Sequence, residues 1–312
     1  MNYYCCRFLI PFVLVASIFG CRADTSPPLK IVTTFSILQD FVREIGKDKV
    51  VISIVGPNSD AHTYQPTPRD VRQIAQADLI FINGLGFEGW IHRLIKSSGY
   101  KGKIVTATDG IQPMMINDPG EGEVPDPHAW NDIKNVKIYI KNIYTSLSKI
   151  DPEQAPFYRK NYEDYLAKLE DLDQFIVNAI KEIPQKKRII ITAHDAFGYY
   201  GQRYGVKFLA PVGTSTADEP SPKAMASLID VIRAHKIKMI FVENITNKKL
   251  IQQLSEETGI QIGEEIFSDA LSEKDQPGST YLAMIRHNTD QFIKAMRLMQ
   301  PKEECRSSSV YA

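Results

Sequence analysis

The sequence predicts an α/β protein of two lobes, each a mostly parallel sheet flanked by helices, joined by one long backbone helix. Three observations carry this. Strand-like runs rich in β-branched residues alternate with amphipathic helical runs in both halves of the chain. Between the halves, Asp151–Pro184 places Tyr158, Tyr162, Tyr165, Leu169, Leu172, Ile176, Ala179 and Ile183 at alternating steps of four and three, the stripe of a helix buried along one face. Finally, 312 residues with 43% hydrophobic and 24% charged content can bury two cores.

The central helix is read over 151–184. Asp151 caps its start, Pro152 suits the first position, and Gln154 completes a box-like terminus. Pro156 predicts an irregular first turn, and Pro184 ends the run. About 28 helical residues would span roughly 42 Å, long for a globular helix.

Before it, residues 30–150 form the first lobe. LKIVTTFSILQDFVREIG reads as strand then helix, VVISIVG as a strand, and VRQIAQADLIFING as helix then strand. GWIHRLIKSSG is helical, KIVTAT a strand, and the Pro/Gly-rich acidic stretch 112–127 a loop, followed by a helix over AWNDIKNVKIYIKNIYTSLSKI. Residues 185–300 form the second lobe. RIIITAH, VKFLAPVG, KMIFVEN and IQIGEEI are its strands, alternating with helices over DAFGYYGQRYG, SPKAMASLIDVIRAHK, NKKLIQQLSEETG and TYLAMIRHNTDQFIKAMRLM. Residues 301–312 are a polar tail.

Residues 1–23 read as an export signal: Arg7 precedes FLIPFVLVASIFG, which is short for a bilayer span and ends in small residues. Two endings compete. Ile18-Phe19-Gly20-Cys21 is like a lipobox, which would place a lipid on Cys21, whereas ordinary cleavage would fall after Ala23. Both put the mature chain outside the cytoplasmic membrane, periplasmic or on its outer face. Cys5 and Cys6 lie in the signal and Cys305 in the tail, so no disulfide pair or thiolate metal site is expected. Lys+Arg and Asp+Glu are both 37, without the basic excess of a nucleic-acid binder.

His62, His128 and His194 each sit after a strand or in a loop, 66 residues apart, a spacing that fits one ligand per loop rather than a pair on one helix. Asp269 follows the strand IQIGEEI in the same way, with Asp195, Asp218, Glu219 and Glu243 as competing carboxylates near strand ends. Ligands in open α/β sheets bind at such ends. Three neutral imidazoles and a carboxylate suit a borderline divalent ion: a monodentate Asp269 gives a tetrahedron for Zn2+, a bidentate one the higher coordination that Mn2+ tolerates. Counting these groups alone, the loaded site would carry a formal charge of about +1. His92, His235 and His287 lie in or at the end of amphipathic helices and read as surface histidines. No HExxH, GxSxG or GxxxxGK[ST] is present, and Asn83-Gly84-Leu85-Gly86 is too weak a signal for a phosphate loop.

DAHTYQPTPRDV, ADLIFINGLGFEGW, DPHAW, TAHDAFGYYGQRYG, STADEPSPKAMASLIDVIRAHKIKMIFVEN and FSDAL together resemble the zinc/manganese-specific periplasmic solute-binding proteins of bacterial ABC importers, the family of the pneumococcal surface adhesin and its treponemal relative. The resemblance spans Lys30 to Met299. It implies two α/β lobes tied by a backbone helix, with a metal between them held by His62, His128, His194 and Asp269. Histidine at the third position is linked to both zinc and manganese, and the loop before His128 lacks the histidines of zinc-dedicated members. The resemblance implies a monomeric metal receptor that hands Mn2+ or Zn2+ to an ABC permease, without catalysis or a catalytic cofactor. Glu243 is a candidate partner for a ligand imidazole. A zinc hydrolase, needing an open coordination position, and a surface adhesin are the alternatives.

Overall fold

Four short parallel strands build the sheet of the first lobe. The computed structural model describes residues 1, 29–47, 49–118, 122–217 and 220–299. The strands β1 (Lys30–Thr33), β2 (Val50–Ser53), β3 (Leu79–Ile82) and β4 (Lys103–Thr106) pair in the order β2-β1-β3-β4, with Ile31 opposite both Val51 and Leu79. The crossovers are filled by α1 (Ser36–Gly46), α2 (Pro68–Ala75) and α3 (Ile91–Ser98). Helices on both faces explain why Leu-Ile-Phe-Ile of β3 is buried at every position. Ile37, Leu38, Phe41, Val42 and Ile45 of α1 recur at helical spacing and face the same core.

The stretch read as a loop at 112–127 is corrected: it holds an antiparallel hairpin, β5 (Met115–Asp118) with β6 (Gly122–Pro125). Its Pro/Gly-rich acidic composition hides the pairing. Gly122, at φ +83, supplies the left-handed residue that opens β6.

A 3-10 turn at Ala129–Asn131 leads into α4 (Ile133–Ile150), capped by Asp132, whose carboxylate accepts from Lys134 N at 2.8 Å. A second such turn, Pro152–Gln154, precedes α5 (Ala155–Lys181), whose 27 residues rise about 40 Å. The predicted irregular first turn is this 3-10 segment, and Pro156 falls in the first turn of α5, where its missing N–H costs nothing. The proposed cap is corrected. Asp151 instead accepts from the Tyr158 hydroxyl at 2.6 Å and pairs with Lys49 at 2.8 Å, joining the start of α5 to the first lobe. Tyr158, Tyr165, Leu169, Leu172 and Ile176 of the predicted stripe are buried, while Tyr162 is half-buried and stacks on Tyr144 at 5.0 Å.

The second lobe runs β7 (Ile189–Ile191), α6 (Gly198–Tyr204), β8 (Lys207–Leu209), α7 (Pro222–His235), β9 (Met239–Ile240), α8 (Lys248–Thr258), β10 (Gln261–Ile262) and α9 (Tyr281–Leu298). Parallel pairs β7–β8 and β9–β10 are linked by Phe241 N donating to Ile191 O at 3.0 Å. These strands are shorter than the sequence suggests, but parallel bridges at His194–Val212 and Glu243–Ile266 continue the ladders beyond their ends.

Alternation along β7 divides the packing. Ile189 and Ile191 join Leu228, Ile232, Ile251 and Leu254 in a small cluster under α7 and α8. Ile190 faces a larger core that includes Phe292 and Met296 of α9, the buried side of α5, and Ile31 of the first lobe. One continuous core therefore crosses both lobes, and α5 is part of it rather than a free linker.

Polar bonds tie the same junction. Ser36 Oγ accepts from Leu271 N, and Asp40 accepts from Tyr281 N at 2.8 Å, at the first turn of α9. Burial pushes the Asp40 carboxyl up to about 6, against the opposing Tyr281 hydrogen bond. A raised folded-state pKa contributes stability at acid pH that is lost as pH rises through 6. Asp40→Asn keeps the acceptor without the charge, so it should raise the melting temperature at pH 7.5 and leave it nearly unchanged at pH 4. The expected gain is about 1–2 kcal/mol after discounting for partial exposure. Equal effects at both pH values in thermal unfolding would refute it.

Residues 2–28, including the export segment and Cys21, and the tail with Cys305 lie outside the described residues, as do Asp218 and Glu219. Among the described residues, no helix is long and apolar enough to cross a membrane.

Candidate metal site

His62 lies on the loop after β2, and three side chains hold that loop. Trp90 Nε1 donates to Ala61 O at 2.8 Å, Asp60 accepts from His62 N at 2.8 Å, and buried Asp70 accepts from Tyr64, Thr67 N and the Thr67 hydroxyl. Phe87 meets the His62 ring edge-on, with centroids 4.8 Å apart.

His128 precedes the 3-10 turn before α4. Asp126 accepts from its backbone N at 2.9 Å and lies 2.8 Å from Nδ1, so the Nδ1–H donates there and Nε2 is aimed at the site. His194 follows β7. Glu243, which follows β9, accepts from Ala193 N and His194 N and sets its second oxygen 2.5 Å from His194 Nδ1. Asp269 follows β10, on a segment fixed by Trp130 Nε1 donating to Ser268 O and by Asn288 bonding both polar groups of the Phe267 backbone.

These elements bring all four predicted residues together. His62 Nε2 lies 3.3 Å from His128 Nε2 and 3.2 Å from Asp269 Oδ2. His194 Nε2 is also 3.2 Å from Asp269 Oδ2, and His128 Nε2 is 3.6 Å from Asp269 Oδ1. One donor atom from each residue lies within 4.8 Å of the others. Donors on a tetrahedral ion with 2.1 Å bonds sit about 3.4 Å apart, so several of these separations already match an ion-sized centre. Both Asp269 oxygens and His194 Nε2 are buried without a hydrogen-bond partner among the described residues. Buried polar atoms left so are costly unless a ligand satisfies them.

The electrostatics differ from the expected charge. Asp126 and Glu243 touch the rings, so three carboxylates rather than one surround the centre; a divalent ion with neutral imidazoles would leave a formal charge of about −1 instead of +1. Burial alone disfavours the imidazolium of His128, but Asp269 and Asp126 outweigh it and push its pKa up to about 9. Burial likewise opposes charging of His194, yet Glu243 and Asp269 hold its pKa well above the usual imidazole range. Burial opposes ionisation of Asp269, but the charges of His194 and His128 keep it well below the usual carboxylate range.

The other histidines stay away. His92 and His235 are exposed, and His287 bonds Glu265 O at 2.9 Å. Asp195 is exposed too, although its backbone N bonds Gly213 O. Two further carboxylates carry only a weak signal in the sequence: Asp126, two residues before a candidate ligand, and Glu88, buried in the turn after β3.

The profile of the periplasmic zinc-uptake complex component A, ZnuA, matches residues 31–295. The chain belongs to the ZnuA family. The chain is similar to the iron ABC transporter substrate-binding lipoprotein MtsA of Streptococcus pyogenes, 35% identical over 93% of this chain and 96% of that protein. The manganese ABC transporter substrate-binding lipoprotein PsaA of Streptococcus anginosus is 33% identical over 93% of this chain and 96% of its own. Among solved structures, the periplasmic zinc-binding protein TroA of Treponema pallidum superposes with a TM-score of 0.81 at 31% identity, covering 87% of this chain and 99% of TroA. The Mn-bound periplasmic metal-binding protein of Candidatus Liberibacter asiaticus gives 0.75 at 32% identity, over 85% of this chain and 98% of its own. The ZnuA family is one of solute-binding receptors.

Proposed function

We propose that this ZnuA-family chain captures a divalent transition metal, Mn2+ or Zn2+, outside the cytoplasmic membrane and passes it to an ABC-type importer. His62 and His128 from a first lobe of residues 30–150, and His194 and Asp269 from a second of 185–300, are its ligands, with 151–184 as the strut between them. The observation that carries this is the convergence of four donors, three buried and His62 half-buried, with several separations near those of a tetrahedral ion. A fourth protein ligand takes the one position a zinc hydrolase would keep open for water, so the reading is capture rather than turnover. All four come from one chain, which supports a monomer. The two unpartnered oxygens of Asp269 allow monodentate or bidentate contact, and hence either metal.

Protein isolated from its own compartment should carry one Zn2+ or Mn2+ per chain by elemental analysis, and competition between the two in calorimetry ranks them. Metal-free protein that takes up neither ion would overturn the proposal. Turnover of simple esters or peptides by the loaded protein would shift it to the hydrolase.

A further inference from the structure

We propose that Asn83 is a positioning residue for His128, acting through the carbonyl of Pro127; this rests on His128 being a metal ligand. Asn83 directly follows β3 and is fully buried. Its Nδ2 donates to Pro127 O at 3.0 Å and Gly84 O at 3.1 Å, while Oδ1 accepts from the Tyr139 hydroxyl at 2.6 Å. Two carbonyls need donors, so the amide can face only one way. Its backbone is held as firmly: Asn83 N donates to Glu88 at 2.6 Å, and Asn83 O accepts from the Thr108 hydroxyl at 2.6 Å.

Pro127 has no N–H, so its carbonyl is the one main-chain hydrogen-bonding group between Asp126 and His128. The peptide entering His128 is thus gripped on both sides, by Asp126 at the His128 N and by Asn83 at the Pro127 O. The turn that presents Asn83 is strained. Gly84, Leu85 and Gly86 all have positive φ, and a Cβ on Gly84 would lie 2.5 Å from Thr106 Cγ2. Buried Glu88 offsets the strain by also accepting from Gly84 N and the Thr34 hydroxyl. The same turn delivers Phe87 edgewise onto His62 and His128. Asn83-Gly84-Leu85-Gly86 is therefore a ligand-orienting turn rather than a phosphate loop.

The test compares Asn83→Ala, Tyr139→Phe, the double variant and His128→Ala by Zn2+ calorimetry, by the visible absorption of bound Co2+ and by metal-free thermal unfolding. Asn83→Ala should weaken Zn2+ about ten-fold, at the low end of what loss of an orienting partner costs, and alter the Co2+ band. Tyr139→Phe leaves the buried Asn83 Oδ1 without its donor and so loosens the amide, which should cost roughly three-fold, with no added loss in the Asn83→Ala background. A purely structural role would lower the melting temperature and leave the Co2+ band of folded protein unchanged, which overturns the inference. If Asn83→Ala does not fold, an unchanged affinity and band in Tyr139→Phe overturns it equally. Unchanged binding in His128→Ala instead removes the ligand assignment beneath it.

Discussion

His128→Ala should weaken Zn2+ or Mn2+ binding by well over a hundred-fold while both lobes stay folded. The magnitude follows from its place. Removing a partner that merely orients a ligand costs about 10–100-fold, and His128 is placed to donate to the ion directly. At least about 2.7 kcal/mol of binding free energy is at stake. Alanine also strands Asp126, which loses the ring it orients, and Asp269, which loses one of its three imidazole neighbours. The melting temperature without metal should therefore fall modestly, because like charges in a buried cluster lose a cation. The fold survives because the continuous core through α5 and α9 does not pass through the imidazole. Calorimetry with the metal-free variant is the check; affinity within a few-fold of the parent would remove His128 from the site.

What could be read from the sequence was periodic or adjacent. The spacing from Tyr158 to Ile183 announced α5, and β-branched runs followed by His62 or His194 announced loops at strand ends. The missing parts lie in contacts between residues far apart in the chain. Asn83 meets Pro127 and Tyr139 across 44 and 56 residues, and Trp130 reaches Ser268 across 138. No local pattern marks those pairs. Asp126 was hidden differently: it stands in an acidic stretch whose composition reads as solvated loop, yet it is 1% exposed because β5–β6 and Tyr199 cover that segment. Asp151 looked like a cap, but Tyr158 and Lys49 offered its carboxylate better partners. Local rules nominate residues for a role, and tertiary neighbours decide which role is taken.

The second large effect is on pH. In the metal-free site Asp269 is ionised, while His128 and His194 favour their charged forms, His128 with a pKa up to about 9. Capture requires neutral imidazoles, so each binding event expels the protons those rings carry. With both rings charged, apparent affinity should fall by up to about 100-fold for each unit of acidification and level off only above pH 9. Stability without metal should move the other way. A raised imidazole pKa contributes stability that is fully present below the unfolded value near 6.5 and is lost as pH rises through about 9. The depressed Asp269 contributes above the unfolded carboxylate value and loses that contribution as pH falls through its folded one. Thermal unfolding in chelator and in excess Zn2+, from pH 5.5 to 8.5, should show the two melting temperatures separating as pH rises. A constant gap would mean that the rings are already neutral and that Asp126 and Glu243 orient them without holding protons on them. The carboxylates that prepare the imidazoles as ligands also make the proton the ion's main competitor.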